Sequence, residues 1–247
     1  MNYQLNNINI YSNSINEFEL DLLNILKENK SRQIITLNLD FLRNTKFNDE
    51  FRNICESSKL VLPDGAGITF LIRAKYNTTI NRITGNDVFP LLLKIANDNN
   101  YRVALIGSTP SVLDKVEIKI KKIYRNLSHN LLCISPKYHF EKDETINLKI
   151  VNEIKSFKPD IVFTALGSPR QEIWLYKNMN LFQSKINVGV GAVFDFYSGE
   201  KKRSPIFFQN FGLEWLWRLT TEPIRLFKRY ILLDLPFLIK SILLKNY

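Results

Sequence analysis

The chain has 247 residues, of which 45% are hydrophobic and 23% charged, and its formal net charge at pH 7 is +10. This composition is ordinary for a globular protein, and the length suits one large α/β domain or a domain of about 200 residues with an appendage. The two cysteines, Cys55 and Cys133, lie far apart and only two histidines are present. These counts argue against a disulfide framework and against a structural zinc site.

The beginning of the chain, MNYQLNNINIYSNS, lacks the basic and long apolar regions of a secretory signal. A cytoplasmic, reducing location is therefore expected. The charge is uneven, because residues 200–247 contain nine Lys/Arg against four Asp/Glu, a net of +5. We expect this segment to face an anionic partner, which could be phospholipid headgroups, nucleic acid or a phosphorylated substrate.

The first 199 residues alternate between predicted strands and helices. Residues 14–29 predict a helix that opens with a capping-box spacing between Ser14 and Glu17. Strands are then predicted at 33–38, 59–63, 101–107, 160–167 and 185–194, and helices at 87–99, 110–124, 144–157 and from Arg170 onward. The apolar residues of these strands are continuous rather than alternating, which is typical of strands buried on both faces. The predicted fold class is α/β, with a mostly parallel sheet and helices on both faces.

The alternation stops near residue 200, where the sequence becomes basic, aromatic and leucine-rich. We therefore predict an α/β core at 1–199 and a basic helical C-terminal appendage at 200–247.

Polar or glycine-rich loops follow the predicted strands: TLN, PDGAG, GSTP, GSPRQE and FDFYSG. Ligands of parallel sheets bind beyond the carboxyl ends of the strands, so these loops are expected to form a site at one edge. Asp64 ends an apolar run and is followed by Gly65 and Gly67, which would let a phosphate or sugar approach the backbone. The alternative is an aspartate that shapes a turn or caps the helix beginning near Ile68.

The loop GSPRQE combines Gly167 at a strand end, Pro169, and a helix start at Arg170 and Gln171. Peptide N–H groups at a helix start, together with a guanidinium, suit a diphosphate. Gln171 offers a donor and an acceptor to a sugar hydroxyl. The alternative is an ordinary helix cap followed by a solvated first turn.

Further candidates lie in three other loops. The loop GSTP at Gly107 is not followed by GxGxxG or GxxxxGK[ST], so neither NAD nor a P-loop nucleotide is expected. DxD pairs are also missing, so a metal–nucleotide complex is not expected. The other candidates are Arg82, Asn86 and Asp87 at a loop-to-helix entry, and Asp195 at the end of a strand pattern that contains Gly189 and Gly191.

The C-terminal segment carries basic residues at helical spacing. Arg218, Arg225 and Arg229 are seven and four residues apart and are predicted to share one helical face, with Lys228 adjoining. Charged residues and a proline interrupt the apolar run too often for a transmembrane helix. The segment is predicted to be an interfacial helix pair on an anionic bilayer. The alternative is a helix that packs on the core with a solvated basic side.

Taken together, these motifs resemble one family. TLN, PDGAG, RITGND, GSPRQE, GVGAVFDFYSG, RSP and GLEWLWRL-EP-R occur in the order and spacing of the WecG/TagA/CpsF glycosyltransferases (family GT26), from about residue 8 to 235. The resemblance implies a Rossmann-like core with a C-terminal appendage. It also implies a membrane-associated bacterial enzyme that transfers a sugar, often N-acetylmannosamine or its uronic acid, from a UDP-sugar to polyprenyl-diphosphate-linked N-acetylglucosamine. The product would enter teichoic acid, common antigen or capsule synthesis.

The resemblance also implies an inverting reaction without a metal or cofactor, and it suggests roles for individual residues. Asp64 would be the catalytic base, with Thr36 and Gln171 lining the pocket beside it. Arg218, Arg225 and either Lys228 or Arg229 would bind the substrate diphosphate. Ser204 in RSP replaces a more usual alanine, a change expected to be harmless. The substrate-binding residues would be Asn38, Gly65, Gly67, Arg82, Gly85, Asn86, Asp87, Gly107, Gly167, Pro169, Arg170, Gly191 and Asp195.

The expected partners are the UDP-sugar, the lipid-linked acceptor and the inner face of the bacterial plasma membrane, with peripheral attachment and without nucleic acid; a homo-oligomer remains open. A competing hypothesis from another class is a non-enzymatic, basic α/β module that docks on membrane or nucleic acid, which the charge of the tail favours. It leaves the specialised strand-end loops without a role. A nicotinamide-dependent oxidoreductase is disfavoured because the dinucleotide fingerprint is missing.

Overall fold

A computed structural model describes residues 3–243 of the chain. Its strands are β1 (Tyr3–Leu5), β2 (Ile8–Ile10), β3 (Arg32–Leu37), β4 (Leu60–Pro63), β5 (Val103–Gly107), β6 (Leu131–Ile134), β7 (Ile161–Ala165) and β8 (Ile186–Gly189). The helices before residue 200 are α1 (Ile15–Lys27), α2 (Leu39–Asn44), α3 (Asp49–Ser57), α4 (Ala66–Tyr76), α5 (Gly85–Asn99), α6 (Pro110–Ile123), α7 (Glu144–Phe157), α8 (Arg170–Phe182) and α9 (Val193–Ser198). Short 3₁₀ helices span Arg125–Ser128 and Phe140–Lys142.

The C-terminal part is helical throughout its described length. It contains α10 (Ile206–Asn210), α11 (Glu214–Thr221), α12 (Pro223–Phe227), a π-helical turn at Lys228–Asp234, here named the π turn, and α13 (Leu235–Leu243). No helix within residues 3–243 is both long and apolar enough to cross a membrane.

Within the described residues, six strands form one sheet in the order β4-β3-β8-β7-β5-β6, and β1 and β2 form an antiparallel hairpin. The pairs β3–β8, β8–β7, β7–β5 and β5–β6 are parallel, with Val103 opposite Ile161 and Ile161 opposite Ile186. All five residues of β5 are buried, as expected for a strand covered on both faces. The predicted α/β fold class, a mostly parallel sheet surrounded by helices, is confirmed.

The described chain divides into two compact units. Unit 1 comprises residues 3–14, 36–84 and 202–243, and unit 2 comprises residues 15–35 and 85–201. In unit 1, the β1–β2 hairpin contacts β4 and α4, α13 contacts α4, and α2 contacts the π turn. In unit 2, α1 contacts α5, α6 contacts α9, and α7 contacts α8. The functional boundary at residue 200 stays a prediction, and residues 1–2 and 244–247 lie outside the described residues.

The core of unit 2 is built from aromatic and aliphatic side chains on both sides of its strands. The Phe89 ring lies 4.8 Å from that of Phe163 and 5.4 Å from that of Phe194, measured between centroids. Trp174 and Phe182 of α8 belong to a second cluster, together with residues of β5, β7 and α7. These contacts fix the strand ends and helix starts that carry the candidate residues.

Two predicted elements differ from the structure. The strand predicted at 185–194 ends at Gly189, because Gly191 turns the chain with φ +54° and α9 begins at Val193. Asp195 therefore lies in α9 and not at a strand end. The single helical face predicted for the C-terminal basic residues is also wrong. Glu222 has φ −135° and ψ 59°, and Pro223 opens a new helix, in the first turn that suits proline best.

Candidate active site

Asp64 stands directly after β4 and before α4, as its sequence context predicted. Its backbone N–H donates to the Leu37 carbonyl at 2.8 Å, which joins the ends of β3 and β4, and its side chain is half-buried. Gly65 has φ +100°, and apart from its chain neighbours no heavy atom of the described residues lies within 4 Å of the position that a Cβ would take there. A residue other than glycine would be strained at this φ. The carboxylate is thus followed by backbone that a ligand can approach closely.

The residues after β3 lie in the same unit as Asp64. Thr36 is buried within β3, and Asn38 caps α2 by accepting a hydrogen bond from the Phe41 N–H at 3.1 Å. Gly67 lies in the first turn of α4, where an added Cβ would come 3.2 Å from Leu39. Unit 1 therefore places the predicted base Asp64 directly after β4, and the predicted site residues Thr36 and Asn38 at the end of β3, the neighbouring strand.

Arg82 is bound to a carboxylate that the sequence did not single out. Its Nη1 pairs with Glu214 of α11, and its Nη2 donates to the Gln209 carbonyl at 3.1 Å. Ser204 donates to the same carboxylate at 3.3 Å, and the Arg203 Nε lies 3.5 Å from it. Glu214 thus offsets the positive charge of Arg82 and ties that loop to the C-terminal helices.

The predicted diphosphate-binding cations lie on three consecutive elements of unit 1. Arg218 is in α11, and Arg225 in α12 is exposed and donates from Nε to Glu222 at 2.7 Å. Lys228 opens the π turn and is exposed. Arg229, the next residue, is partly buried against carboxylates of the same unit.

In unit 2, Gln171 is enclosed between the strand end before it and β8. Its Oε1 accepts from the Gly167 N–H at 3.2 Å, and its Nε2 donates to the neighbouring Glu172 at 2.6 Å. Gln171 and Glu172 are 2% and 1% exposed. Gly189 makes room for both, because a Cβ there would lie 2.6 Å from the Gln171 Nε2 and 2.6 Å from the Glu172 Oε1.

Glu172 has an unusual electrostatic environment. Burial raises the pKa of this carboxyl from 4.5 to about 7, although the hydrogen bond from Gln171 opposes the rise. The Gln33 side chain donates to the Glu172 backbone carbonyl at 3.0 Å. The sequence around Glu172 indicates only a helix start. The sequence signal for its close contact is Gly189, because a glycine inside a strand often marks the close approach of another group.

The start of α8 also holds the other residues of the GSPRQE loop. Gly167 has φ +83°, and Pro169 precedes α8 with a cis peptide bond to Ser168. The Arg170 Nε lies 2.8 Å from Glu141, and its guanidinium lies 4.3 Å from the centroid of the exposed Tyr138 ring. Arg170 is therefore already paired with a carboxylate.

The remaining candidates of unit 2 lie at helix starts and strand ends. Gly85, Asn86 and Asp87 form the first turn of α5, and an added Cβ at Gly85 would come 3.1 Å from Val193. Gly107 ends β5 with φ +110°. The Asp195 carboxylate lies 3.4 Å from the Lys201 Nζ.

Within residues 3–243, no three His, Cys, Asp or Glu side chains are grouped so that they could hold a metal ion.

Comparison with known proteins connects this arrangement to one activity. Residues 3–246 match the model of the "Glycosyl transferase WecG/TagA/CpsF family". The chain is 32% identical over 200 residues to an N-acetylglucosaminyldiphosphoundecaprenol N-acetyl-beta-D-mannosaminyltransferase of Bacillus spizizenii (strain ATCC 23059 / NRRL B-14472 / W23), covering 81% of this chain and 75% of the relative.

Proteins of the same name from two other organisms are also similar. The one from Bacillus subtilis (strain 168) is 35% identical over 176 residues, which are 71% of this chain and 66% of the relative. The one from Staphylococcus aureus (strain NCTC 8325 / PS 47) is 29% identical over 185 residues, which are 75% and 70%. The resemblance carried by the sequence motifs is confirmed. The chain belongs to the WecG/TagA/CpsF family and is a glycosyltransferase.

Proposed function

We propose that this glycosyltransferase moves an N-acetylmannosamine-type sugar from a UDP-sugar to an N-acetylglucosamine linked to polyprenyl diphosphate. The sugar and the acceptor are those named for the similar enzymes of two Bacillus species and Staphylococcus aureus. The product would serve teichoic acid, common antigen or capsule synthesis. A lipid-linked acceptor requires the enzyme to work at a membrane surface, and we propose peripheral attachment through the C-terminal helices, on the inner leaflet.

Asp64 is the proposed catalytic base, and its placement is the observation that carries the mechanism. It is half-buried at a strand end, beside a glycine whose φ of +100° and open surroundings among the described residues leave room for a sugar. The carboxylate takes the proton of the acceptor hydroxyl while that oxygen bonds to the anomeric carbon. The bond from that carbon to UDP breaks on the opposite face, UDP leaves with the electron pair, and the configuration inverts.

The leaving diphosphate gains negative charge, which we propose is balanced by cations of the chain and not by a metal. Arg225 and Lys228 lie on consecutive elements of unit 1, and both side chains are exposed. An anion in solution can therefore contact them directly. Arginine forks and lysine point charges are both effective partners of phosphate oxygens. Addition of EDTA is therefore expected to leave transfer unchanged.

The decisive test of the base is Asp64→Asn. We expect kcat to fall about 10²–10⁴-fold, the range for removal of a general base, while UDP affinity stays within a few-fold. The fall in kcat is measured as UDP release from UDP-N-acetylmannosamine, with and without a short-chain polyprenyl-diphosphate N-acetylglucosamine. The affinity for UDP is measured by calorimetry.

Asp49→Asn is the matched control, since Asp49 lies on the surface of unit 1 with 84% of its side chain exposed. Normal turnover by Asp64→Asn would remove Asp64 as the base. Release from a different UDP-sugar alone would correct the donor, and an NMR spectrum of the product that shows a retained anomeric configuration would contradict inversion.

A further inference from the structure

The π turn carries an arginine that binds to the loop after β3. The Arg229 Nη2 donates to the Asn38 Oδ1 at 3.1 Å, across 191 residues of sequence and within unit 1. Its Nε lies 3.5 Å from both the Asp40 and the Asp234 carboxylates. The Arg229 side chain is 26% exposed and Asp234 is 7% exposed, so these contacts are partly shielded from water.

Arg229 belongs to a group of four charges that we name the α2 charge cluster: Asp40, Arg43, Arg229 and Asp234. Arg43 pairs with Asp40 and, through its Nε, with Asp234 at 3.2 Å. Two carboxylates thus face two guanidinium groups. Burial raises the pKa of Asp234, while the two arginines oppose the rise. The positive charge of Arg229 is offset inside the cluster, which makes it a poor counter-ion for a substrate diphosphate.

The orientation of the Asn38 amide follows from its two partners. Both the Phe41 N–H and the Arg229 guanidinium are donors, and both lie 3.1 Å from the same Asn38 atom. An amide NH₂ group cannot accept either bond, so the oxygen must occupy this position. The Nδ2 donor is then turned away from both and can serve a hydroxyl or phosphate oxygen of a substrate.

We propose that Arg229 is a positioning residue that fixes the Asn38 side chain, and that Lys228 rather than Arg229 is the third C-terminal cation for the diphosphate. The inference rests on the proposed function, because it assigns Asn38 to the substrate site. The π turn is a second observation that supports the inference. Widened helical turns are frequent at functional sites, and this one brings Arg229 and Asp234 to α2. The C-terminal segment thereby contributes to the pocket through Asn38.

Arg229→Lys and Arg43→Lys form a matched pair for the test. Each keeps the charge and removes one planar guanidinium from the α2 charge cluster, but only Arg229 contacts Asn38. We expect both variants to lower the melting temperature of the full chain by a similar amount. Arg229→Lys should also lower kcat about tenfold, the fold-change for one hydrogen bond, with KM for the lipid acceptor unchanged, whereas Arg43→Lys should change kcat less than about twofold.

A double-mutant cycle with Asn38→Ala supplies the second measurement. If Arg229 acts through Asn38, the double variant loses no more kcat than Asn38→Ala alone. Additive losses, or a raised KM for the lipid diphosphate in Arg229→Lys but not in Lys228→Ala, would overturn the inference in favour of direct diphosphate binding. Equal kcat losses in the matched pair would reduce Arg229 to a structural role. If the wild-type protein releases no UDP from any UDP-sugar with this acceptor, the proposed function itself is wrong and this inference falls with it.

Discussion

At the scale of single residues, Glu172 is a carboxyl that the fold keeps away from water. Its pKa is raised to about 7 by burial, from an ordinary value of 4.5. Between these two pH values the folded chain keeps a proton that the unfolded chain releases. The stability contributed by this proton is present below pH 4.5 and is lost as the pH rises to about 7. The loss is on the order of 3 kcal/mol for a group that is 1% exposed.

Glu172→Gln should remove this pH dependence, because the amide does not ionise. From pH 5 to pH 8 the wild-type protein should lose on the order of 3 kcal/mol of unfolding free energy that the variant keeps. Urea unfolding at the two pH values measures this difference. Glu153→Gln, at an exposed position of α7, should follow wild type at both. An identical pH response in wild type and Glu172→Gln would mean that Glu172 is already ionised at pH 5.

Residue positions were predictable from the sequence where they depend on local pattern, and not where they depend on distant partners. Asp64 lies at a strand end as predicted, because the apolar run and the following glycines are local signals. The carboxylate partner of Arg82 lies 132 residues away, and Asp234, one of the two carboxylate partners of Arg43, lies 191 residues away. Asp234 lies inside the apolar run ILLDLPFL, and a carboxylate in such a run indicates that it has a charged partner. Nothing in the neighbouring sequence identifies Arg43 and Arg229 as those partners.

At the scale of elements, the contact between β8 and the first turn of α8 depends on one missing side chain. An alanine Cβ at Gly189 would lie 2.6 Å from atoms of both Gln171 and Glu172. These two side chains are buried and hydrogen-bonded to each other, so they cannot move aside without losing that bond. The strand therefore has to end in glycine for α8 to start where it does.

Gly189→Ala should destabilise the protein by about 1–3 kcal/mol, the usual effect of overpacking, and should also lower transfer activity if Gln171 serves the substrate. Thermal unfolding and the UDP-release assay check the two effects. Gly199→Ala is the control: it has φ +85° but no described heavy atom within 4 Å of its Cβ position, so it should cost about 1 kcal/mol through the backbone alone. Wild-type stability in Gly189→Ala would show that the contact relaxes freely.

Element boundaries were predicted well where apolar runs are long, as for β5 and β7, and poorly where turn chemistry decides. The β1–β2 hairpin was not predicted, although Asn6 and Asn7 adopt φ of 49° and 65° between two alternating segments. Asn pairs with positive φ are a known hairpin signal. β8 was predicted too long because Val190 and Val193 continue a strand-like composition across Gly191, where the chain turns.

At the scale of the whole molecule, charge and exposed apolar surface coincide in the C-terminal segment. Residues 200–247 carry half of the net charge of +10. Large apolar side chains of the same segment are exposed, among them Phe207 at 62%, Phe211 at 68% and Ile224 at 95%. Basic residues beside exposed aromatic ones suit an anionic lipid surface, where the proposed acceptor would lie.

Binding to vesicles tests this surface directly. We expect the full chain to co-sediment with phosphatidylglycerol-containing vesicles and Phe207→Ser/Phe211→Ser to bind at least about tenfold more weakly, since burying each phenylalanine stabilises binding by about 1.5–3 kcal/mol. High salt should weaken binding of both proteins, because charge attraction is screened. Ile118→Ser is the control, since Ile118 is 68% exposed on α6 of unit 2 and lies outside the basic segment. An equal loss in the control would show that the C-terminal helices do not recognise the membrane, and equal binding to neutral vesicles would show that their basic residues take no part in recognition. The basic residues would then act only on the substrate diphosphate.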